Sequence, residues 1–163
     1  MSQSTLQGPG GNATADSNQG EPFKFVTPFV DCAQITIFTE VLSIPLDRDR
    51  QTNRPTCLRG ELEISCTIAL NPTPSVNRIF QIGIDTQVYA FNGSQSTTIA
   101  RQTLSPFQNM MLLRFTEVDT WNRLSINCAA MVNGTYRAFT AAANMPGLVS
   151  ATAIVQASLL MWR

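Results

Sequence analysis

Two glutamates separated by one residue are the pair best placed for acid–base chemistry. Glu61 and Glu63 lie in a segment whose apolar and polar residues alternate. Side chains at i and i+2 of a strand point to the same face, so their Cβ atoms are expected about 7 Å apart. Glycosidases use carboxyl pairs at similar separations. An outward strand face that pairs with Arg59 or with a neighbouring subunit explains the same pattern, and we favour it because solvated faces commonly carry such charges.

Residue types needed for other reactions are missing from the sequence. It contains no histidine, which excludes Ser–His–Asp and Cys–His nucleophile systems, the usual proton shuttle and most metal centres. A Ser–Lys dyad would need Lys24, which lies beside a polar N-terminal segment. No CxxC pair occurs, so we expect buried reduced thiols and not a zinc site. The cysteines are Cys32, Cys57, Cys66 and Cys128. We predict no catalytic, cofactor or metal site, and we expect that the protein is not an enzyme.

An arginine-rich loop is the strongest candidate for contact with another molecule. Residues 46–57 contain the run Asp-Arg-Asp-Arg. Arginine suits interface ion pairs and phosphate because its planar guanidinium makes bidentate bonds. A surface loop that its own aspartates neutralise is an equal alternative. If the loop is functional, an ion-pair network between subunits fits better than RNA binding, which needs net positive charge. A tryptophan near the chain end joins these candidates because chain ends seldom lie deep in a core. The candidate interface or RNA-contact residues are Arg48, Arg50, Arg54, Arg59 and Trp162.

The composition points to self-association. Charged residues make up 13% of the chain, against about 25% in a typical soluble domain. The formal net charge is zero, so no long-range repulsion keeps copies of the chain apart. Neutrality also argues against a strong electrostatic grip on nucleic acid. A surface with so little charge is most readily covered by further copies of itself.

The chain divides into a polar segment and a domain of strands. Residues 1–22 are rich in Gly, Ser, Gln and Asn, and we expect a flexible arm there. Residues 23–163 suit one domain with a single core, because 44% of the chain is hydrophobic. Alternating apolar residues and turn residues predict strands over 23–30, 34–44, 58–70, 78–91, 97–102, 111–118, 124–132, 135–139 and 149–162.

The strand pattern predicts an all-β, antiparallel two-sheet sandwich, with the eight-stranded jelly roll as its leading form. Asn133-Gly134 predicts a type I′ hairpin, because both residues tolerate positive φ. Ser105-Pro106 predicts at most a turn or two of helix. An immunoglobulin-type sandwich is the main rival. Its Cys–Trp–Cys pattern is met only by Trp121 between Cys66 and Cys128, and we expect Trp121 to pack on the core.

This layout resembles the coat proteins of small icosahedral viruses. The resemblance lies in the polar arm at 1–22, the proline-bearing entry at Phe23–Val30, the eight-stranded sandwich and the long last strand at Val149–Trp162. Length and layout are similar to those of satellite-virus coat proteins and of the tymovirus-like group. The segment Thr103-Leu104-Ser105-Pro106 ahead of Met110-Met111 also resembles the latter group.

The resemblance implies a structural capsid subunit that assembles into an icosahedral shell around a viral genome. Its partners would be many copies of itself, with or without other coat subunits, and its location the virion, assembled in the host cytoplasm. No cofactor and no membrane partner is implied. Many such proteins neutralise packaged RNA with a basic arm, but residues 1–22 contain no basic residue. We therefore expect weak contact with the nucleic acid: either polyamines or cations balance the genome, as the resemblance to the tymovirus-like group implies, or another type of coat subunit contacts it.

A secreted β-sandwich binding module, either a trimeric ligand or a carbohydrate-binding domain, is the alternative. Asn12, Asn92 and Asn133 each begin an Asn-X-Ser/Thr sequon, which suits a secreted protein. The N-terminus has neither the basic nor the apolar region of a signal peptide, so we interpret the sequons as chance features of Asn-rich turns. No apolar run approaches the roughly 20 residues of a transmembrane helix.

Overall fold

The regular structure consists of strands. The computed structural model describes residues 23–46, 51, 59–71, 81–116, 121–139 and 150–162. No helix occurs within these ranges, and so none there could cross a membrane. The ten strands are β1 (Phe23–Val26), β2 (Val30–Asp31), β3 (Thr39–Pro45), β4 (Arg59–Asn71), β5 (Ile82–Asn92), β6 (Gln95–Leu104), β7 (Met110–Thr116), β8 (Arg123–Val132), β9 (Thr135–Tyr136) and β10 (Ser150–Trp162).

The strands form two antiparallel sheets that enclose one core. Sheet one has the order β1-β10-β4-β7, with β2 also paired to β10. Sheet two has the order β3-β8-β5-β6, with β9 also paired to β8. This arrangement confirms the predicted all-β two-sheet sandwich.

The pairing of the strands is nested in the way that defines a jelly roll. The first principal strand pairs with the last (β1 with β10), and the next pairs inward are β3 with β8, β4 with β7 and β5 with β6. Successive pairs alternate between the two sheets, as in a long two-stranded ribbon rolled up on itself. The immunoglobulin-type alternative is therefore wrong. In the part of the chain that the structure describes, β2 and β9 are short additions to eight principal strands, which is the predicted number.

Pro28 explains why the first predicted strand is divided. Proline has no N–H to donate to the ladder, so pairing with β10 pauses between β1 and β2. Thr27 fills the gap: its backbone N–H donates to Ala157 O at 2.9 Å, and its Oγ1 accepts from Ala157 N at 2.9 Å. The segment lies at the edge of sheet one, as its proline predicts.

The predicted strand over 34–44 is wrong in its first half, because β3 begins only at Thr39. The preceding residues pass from one sheet to the other. Cys32 N donates to Ala153 O of sheet one at 2.9 Å. Further along, Ala33 O accepts from Phe139 N at 2.7 Å, which ties the segment to the chain that follows β9. Local β propensity over 34–38 is thus overridden by the need to cross between layers.

Two tight turns follow from their residues. Asn133 and Gly134 have φ values of 51° and 80°, so both central residues adopt the positive φ of a type I′ hairpin, as predicted. Gly93 has φ 62° at the first central position between β5 and β6. At Ser105, where at most a short helix was predicted, a turn forms instead. Its Oγ accepts from Gln108 N at 3.0 Å.

The core contains the predicted thiols. Cys32, Cys66 and Cys128 are free and buried, which confirms the expectation for these three, whereas Cys57 lies outside the described residues. Burial raises the pKa of the Cys66 thiol to about 12. A hydrogen bond with Cys128, followed by burial, also raises the pKa of Cys32. The largest fully buried side chains are Phe139, Ile44, Leu62, Ile64, Ile84, Leu104, Leu124, Ile126, Leu159, Val88 and Val132.

Candidate functional site

The structure brings together two of the five predicted contact residues. Arg59 on β4 pairs in register with Trp162 on β10, and its guanidinium carbon lies 5.1 Å from the centroid of the indole ring. This is a cation–π contact. Arg59 is exposed and Trp162 is half-buried. Both lie at one end of the outward face of sheet one. The remaining candidates, Arg48, Arg50 and Arg54, lie outside the described residues.

The two glutamates share the outward face of β4, as their spacing predicts. Glu61 accepts from Arg114 Nε on β7 at 3.0 Å, a partner that the sequence did not indicate. The pair is open to solvent, with 73% of the Arg114 side chain exposed, and is worth little to stability. Glu63 lies beside Leu112 of β7 and Ser158 of β10. The face is a charged outward strand surface of the kind favoured from sequence.

The outward side chains of sheet one form a surface that we call the sheet-one face. Four apolar side chains on it are between 41% and 51–52% exposed: Val26, Met110, Leu112 and Ile154. Along β10 the outward residues carry no charge; they are Thr152, Ile154, Gln156, Ser158, Leu160 and Trp162. The other members are Lys24, Asp31, Arg59, Glu61, Glu63, Ser65, Thr67, Ala69, Arg114 and Thr116.

The outward face of sheet two differs because its polar groups bond to one another. Asp85 is only 3% exposed although it points away from the core. Its Oδ2 accepts from Arg101 at 2.7 Å and from the Tyr136 hydroxyl at 2.7 Å. The hydrogen bond to Asp85 raises the pKa of Tyr136. Phe38 packs edge-on against Tyr136 at 5.4 Å between ring centroids and helps to cover the carboxylate.

A second polar network lies at the other end of the same face. Glu40 accepts hydrogen bonds from Arg123 and from Ser125 Oγ. Burial opposes ionisation of Glu40, but these two hydrogen bonds outweigh it and lower the pKa of the carboxyl. The Arg123 guanidinium also lies over the Phe91 ring, 4.0 Å from its centroid. The outward charges of sheet two are thereby engaged within the chain.

The sequence did not point to the Asp85 cluster. In the alternation of β5, Asp85 occupies an outward position and is expected to be solvated. One feature of the sequence could have indicated that Asp85 is buried: the run Ile-Gly-Ile-Asp-Thr around it is mostly apolar, and apolar runs favour burial of a strand on both faces. Arg101 and Tyr136 lie on β6 and β9, and only the pairing of the strands brings them to Asp85.

Among the described residues, no group of three or more His, Cys, Asp or Glu side chains could hold a metal ion. Trp121 is partly buried against the core, with its ring 5.5 Å from that of Phe115, which confirms the expected packing role. The two sheet faces are therefore the surfaces on which a function can be built.

Comparisons with known proteins give a structural likeness and no family. No protein-family model matches the chain, and no curated protein matches it. The fold is similar to that in the crystal structure of the infectious bursal disease virus VP2 subviral particle, with a TM-score of 0.43 and 10% sequence identity. The match covers 86% of this chain and 33% of that chain, so this chain spans about a third of the length of its neighbour. At this TM-score the likeness is too distant to assign a function.

Proposed function

We propose that the protein is a structural capsid subunit that assembles into an icosahedral shell around a viral genome. The observation that supports this most is the sheet-one face, which exposes apolar side chains on a neutral, charge-poor chain. Exposed apolar surface of this kind, on a sheet that no other described element covers, is typical of surfaces that bind another protein.

The energetics of this face favour association. Burying the exposed half of an apolar side chain contributes about 1 kcal/mol, so the four half-exposed residues together offer about 4 kcal/mol per copy. The uncharged outward row of β10 can be covered without desolvating an ion, which is the most costly part of burying a polar surface. An obligate interface between subunits has these properties.

The jelly-roll topology and the resemblance of the sequence to small viral coat proteins support this form of assembly. The partners are many copies of this chain, with or without other coat subunits, and the location is the virion, assembled in the host cytoplasm. Zero net charge favours weak contact with the enclosed nucleic acid. The role needs no cofactor and no catalysis, and we propose that the protein is not an enzyme.

Two exposed sequons favour the alternative of a secreted binding module. Asn92 and Asn133 both lie at hairpin turns and are exposed. The Asn133 side-chain oxygen accepts from Gln81 N at 3.2 Å, which gives this asparagine a structural role without a sugar. Sugars on either residue in protein from its natural source would favour the secreted module over the capsid subunit.

Purification of the full chain tests the proposal. We expect size-exclusion chromatography with light scattering to show large particles, and negative-stain electron micrographs to show closed shells of uniform diameter. A stable monomer at micromolar concentration, over several pH values and ionic strengths, would overturn the proposal.

A further inference from the structure

We infer that the sheet-one face packs against the same face of a second copy. The two copies are related by a two-fold axis that lies in the interface, parallel to β10. This inference rests on the proposed self-assembly and names one of its contacts. In such an interface each outward β10 residue faces the same residue of the other copy. The strand on one side of β10 (β1) faces the strand on the other side (β4) of the second copy.

The outward residues of β10 meet the condition that an axis imposes. A charged side chain on a two-fold axis would face an identical charge, and like charges in a dry interface are costly. All six outward positions of β10 from Thr152 to Trp162 are uncharged. The row includes Ile154 and Leu160, so apolar side chains meet apolar ones. Trp162, predicted from sequence to be an interface residue, lies at the end of the row.

The strands that flank β10 carry opposite charges at matching heights. β1 and β4 pair with β10 on its two sides, and Leu160 lies between Lys24 and Glu61 in one row across the sheet. Rotation about β10 places Lys24 of one copy opposite Glu61 of the other. Glu63 is two residues further along the same outward row. The interface therefore sets a lysine against two glutamates, and does so twice.

Lys24 and Glu63 are available for a further charged partner, whereas Glu61 is already bonded to Arg114. Within the described part of the chain, neither Lys24 nor Glu63 forms an ion pair. The two residues are separated by the width of two strand spacings, or about 10 Å, and by a further two residues along the strand. Both charges are therefore available to a partner on a second copy.

The size of the face suits a specific contact. β10 and β4 run side by side for 13 residues, and β1 with β2 flanks β10 from Ile154 to Met161, so at a strand spacing of about 4.8 Å this face covers roughly 540 Å². Two copies would bury about 1,100 Å² in total, slightly more than the roughly 1,000 Å² that a specific interface needs. The outward face of sheet two is less suitable, because the polar groups of Asp85 and Glu40 are already bonded within the chain.

A cross-linking experiment tests the axis directly. Ser158→Cys places a thiol in the outward row of β10, and a short bis-maleimide then joins two such thiols. Each thiol adds across one maleimide double bond, and its proton moves to the adjacent carbon, so no oxidant is needed. Ser96→Cys, an exposed serine on β6 of sheet two, is the matched control, and the unmodified chain controls for native cysteines. We expect a covalent dimer on denaturing gels from Ser158→Cys alone.

A charge exchange provides an independent test. Lys24→Glu sets like charges against each other, and we expect it to weaken association about tenfold in analytical ultracentrifugation. Adding Glu63→Lys should recover most of that loss, because the charges are restored across the axis. Circular dichroism and thermal melting of each variant confirm that it is folded.

The outcomes separate the two proposals. If the unmodified chain is a monomer under every condition, the capsid proposal fails. If the chain assembles but Ser158→Cys gives no more dimer than Ser96→Cys, the two-fold contact is overturned and the capsid proposal stands. Assembly that is indifferent to Lys24→Glu, or a double variant no better than the single one, would likewise overturn the contact.

Discussion

Replacing Asp85 by asparagine is expected to destabilise the fold far more than its outward position suggests. The change keeps the shape of the side chain but removes the charge that accepts from Arg101 and Tyr136. Hydrogen bonds to a charged group contribute about 1.5–3 kcal/mol each when buried. Arg101 is 53% exposed on its side chain and can turn to water, so the full cost of stranding a buried charge does not arise. We expect a loss of about 2 kcal/mol for Asp85→Asn.

Urea denaturation measures this loss. For an unfolding slope of about 2 kcal/mol per molar, the midpoint should fall by about 1 M. Glu61→Gln is the matched control, because it makes the same change in the solvent-exposed pair with Arg114 and should cost no more than about 0.5 kcal/mol. Each variant is measured at two protein concentrations, so that an effect on association is recognised.

A double-mutant cycle identifies the source of the effect. Tyr136→Phe removes the hydroxyl that donates to Asp85, and the pair of changes should be non-additive by about 1 kcal/mol. If Asp85→Asn costs no more than Glu61→Gln, or if the cycle is additive, the carboxylate does not tie β9 to β5 and the reasoning is refuted.

Three further predictions follow from the same structure. Gly83→Ala should lower stability by about 1–3 kcal/mol in urea denaturation, because a Cβ there would lie 2.8 Å from the backbone oxygen of Leu104; an unchanged midpoint would contradict this close approach. Gly134→Ala should cost about 1 kcal/mol in the same assay, since φ is 80° and a Cβ would meet nothing, so that only backbone strain acts; a neutral result would argue against the type I′ turn. The pKa of Cys66 is about 12 in the folded protein against 9.0 for a free thiol, so as pH rises the thiol of the unfolded chain loses its proton before the folded one does. The contribution of this thiol to the free energy of unfolding is therefore fully present below pH 9 and declines as pH rises towards 12. The decline should be about 1.4 kcal/mol per pH unit for this thiol, and Cys66→Ala should make the urea midpoint less sensitive between pH 8 and pH 10.

The alternation within each strand was predictable because it depends on neighbours in the chain. Residues 58–70 predicted one apolar and one polar face, and β4 shows this division with Leu62 and Ile64 buried and Glu63 exposed. Turn residues were equally informative, since positive φ at Asn133 and Gly134 is a local requirement. The segment 34–38 was misassigned because its path is determined by the two sheets that it connects.

The partners of the charged residues could not be predicted from spacing. Arg59 or a neighbouring subunit was the expected partner of this face, but Glu61 bonds to Arg114, which is 53 residues distant. From its outward position Asp85 was expected to be solvated. In the structure β6 and β9 place Arg101 and Tyr136 against it, although these residues are 16 and 51 positions away in the sequence. Such contacts depend on which strands become neighbours, and strand order is a property of the whole fold.

The sequence by itself determined the class of this protein: strands, tight turns, one core and too little charge to cover its surface, since each of these depends on composition or on residues close together in the chain. The tertiary structure decided which strands pair, and with them the nested topology and the difference between the two outward faces. It left the uncharged row of β10 between Lys24 on β1 and Glu61 on β4. The physical reason is that side-chain direction is a local consequence of the extended backbone, whereas the neighbour of a strand is selected by how both sheets close over a common core.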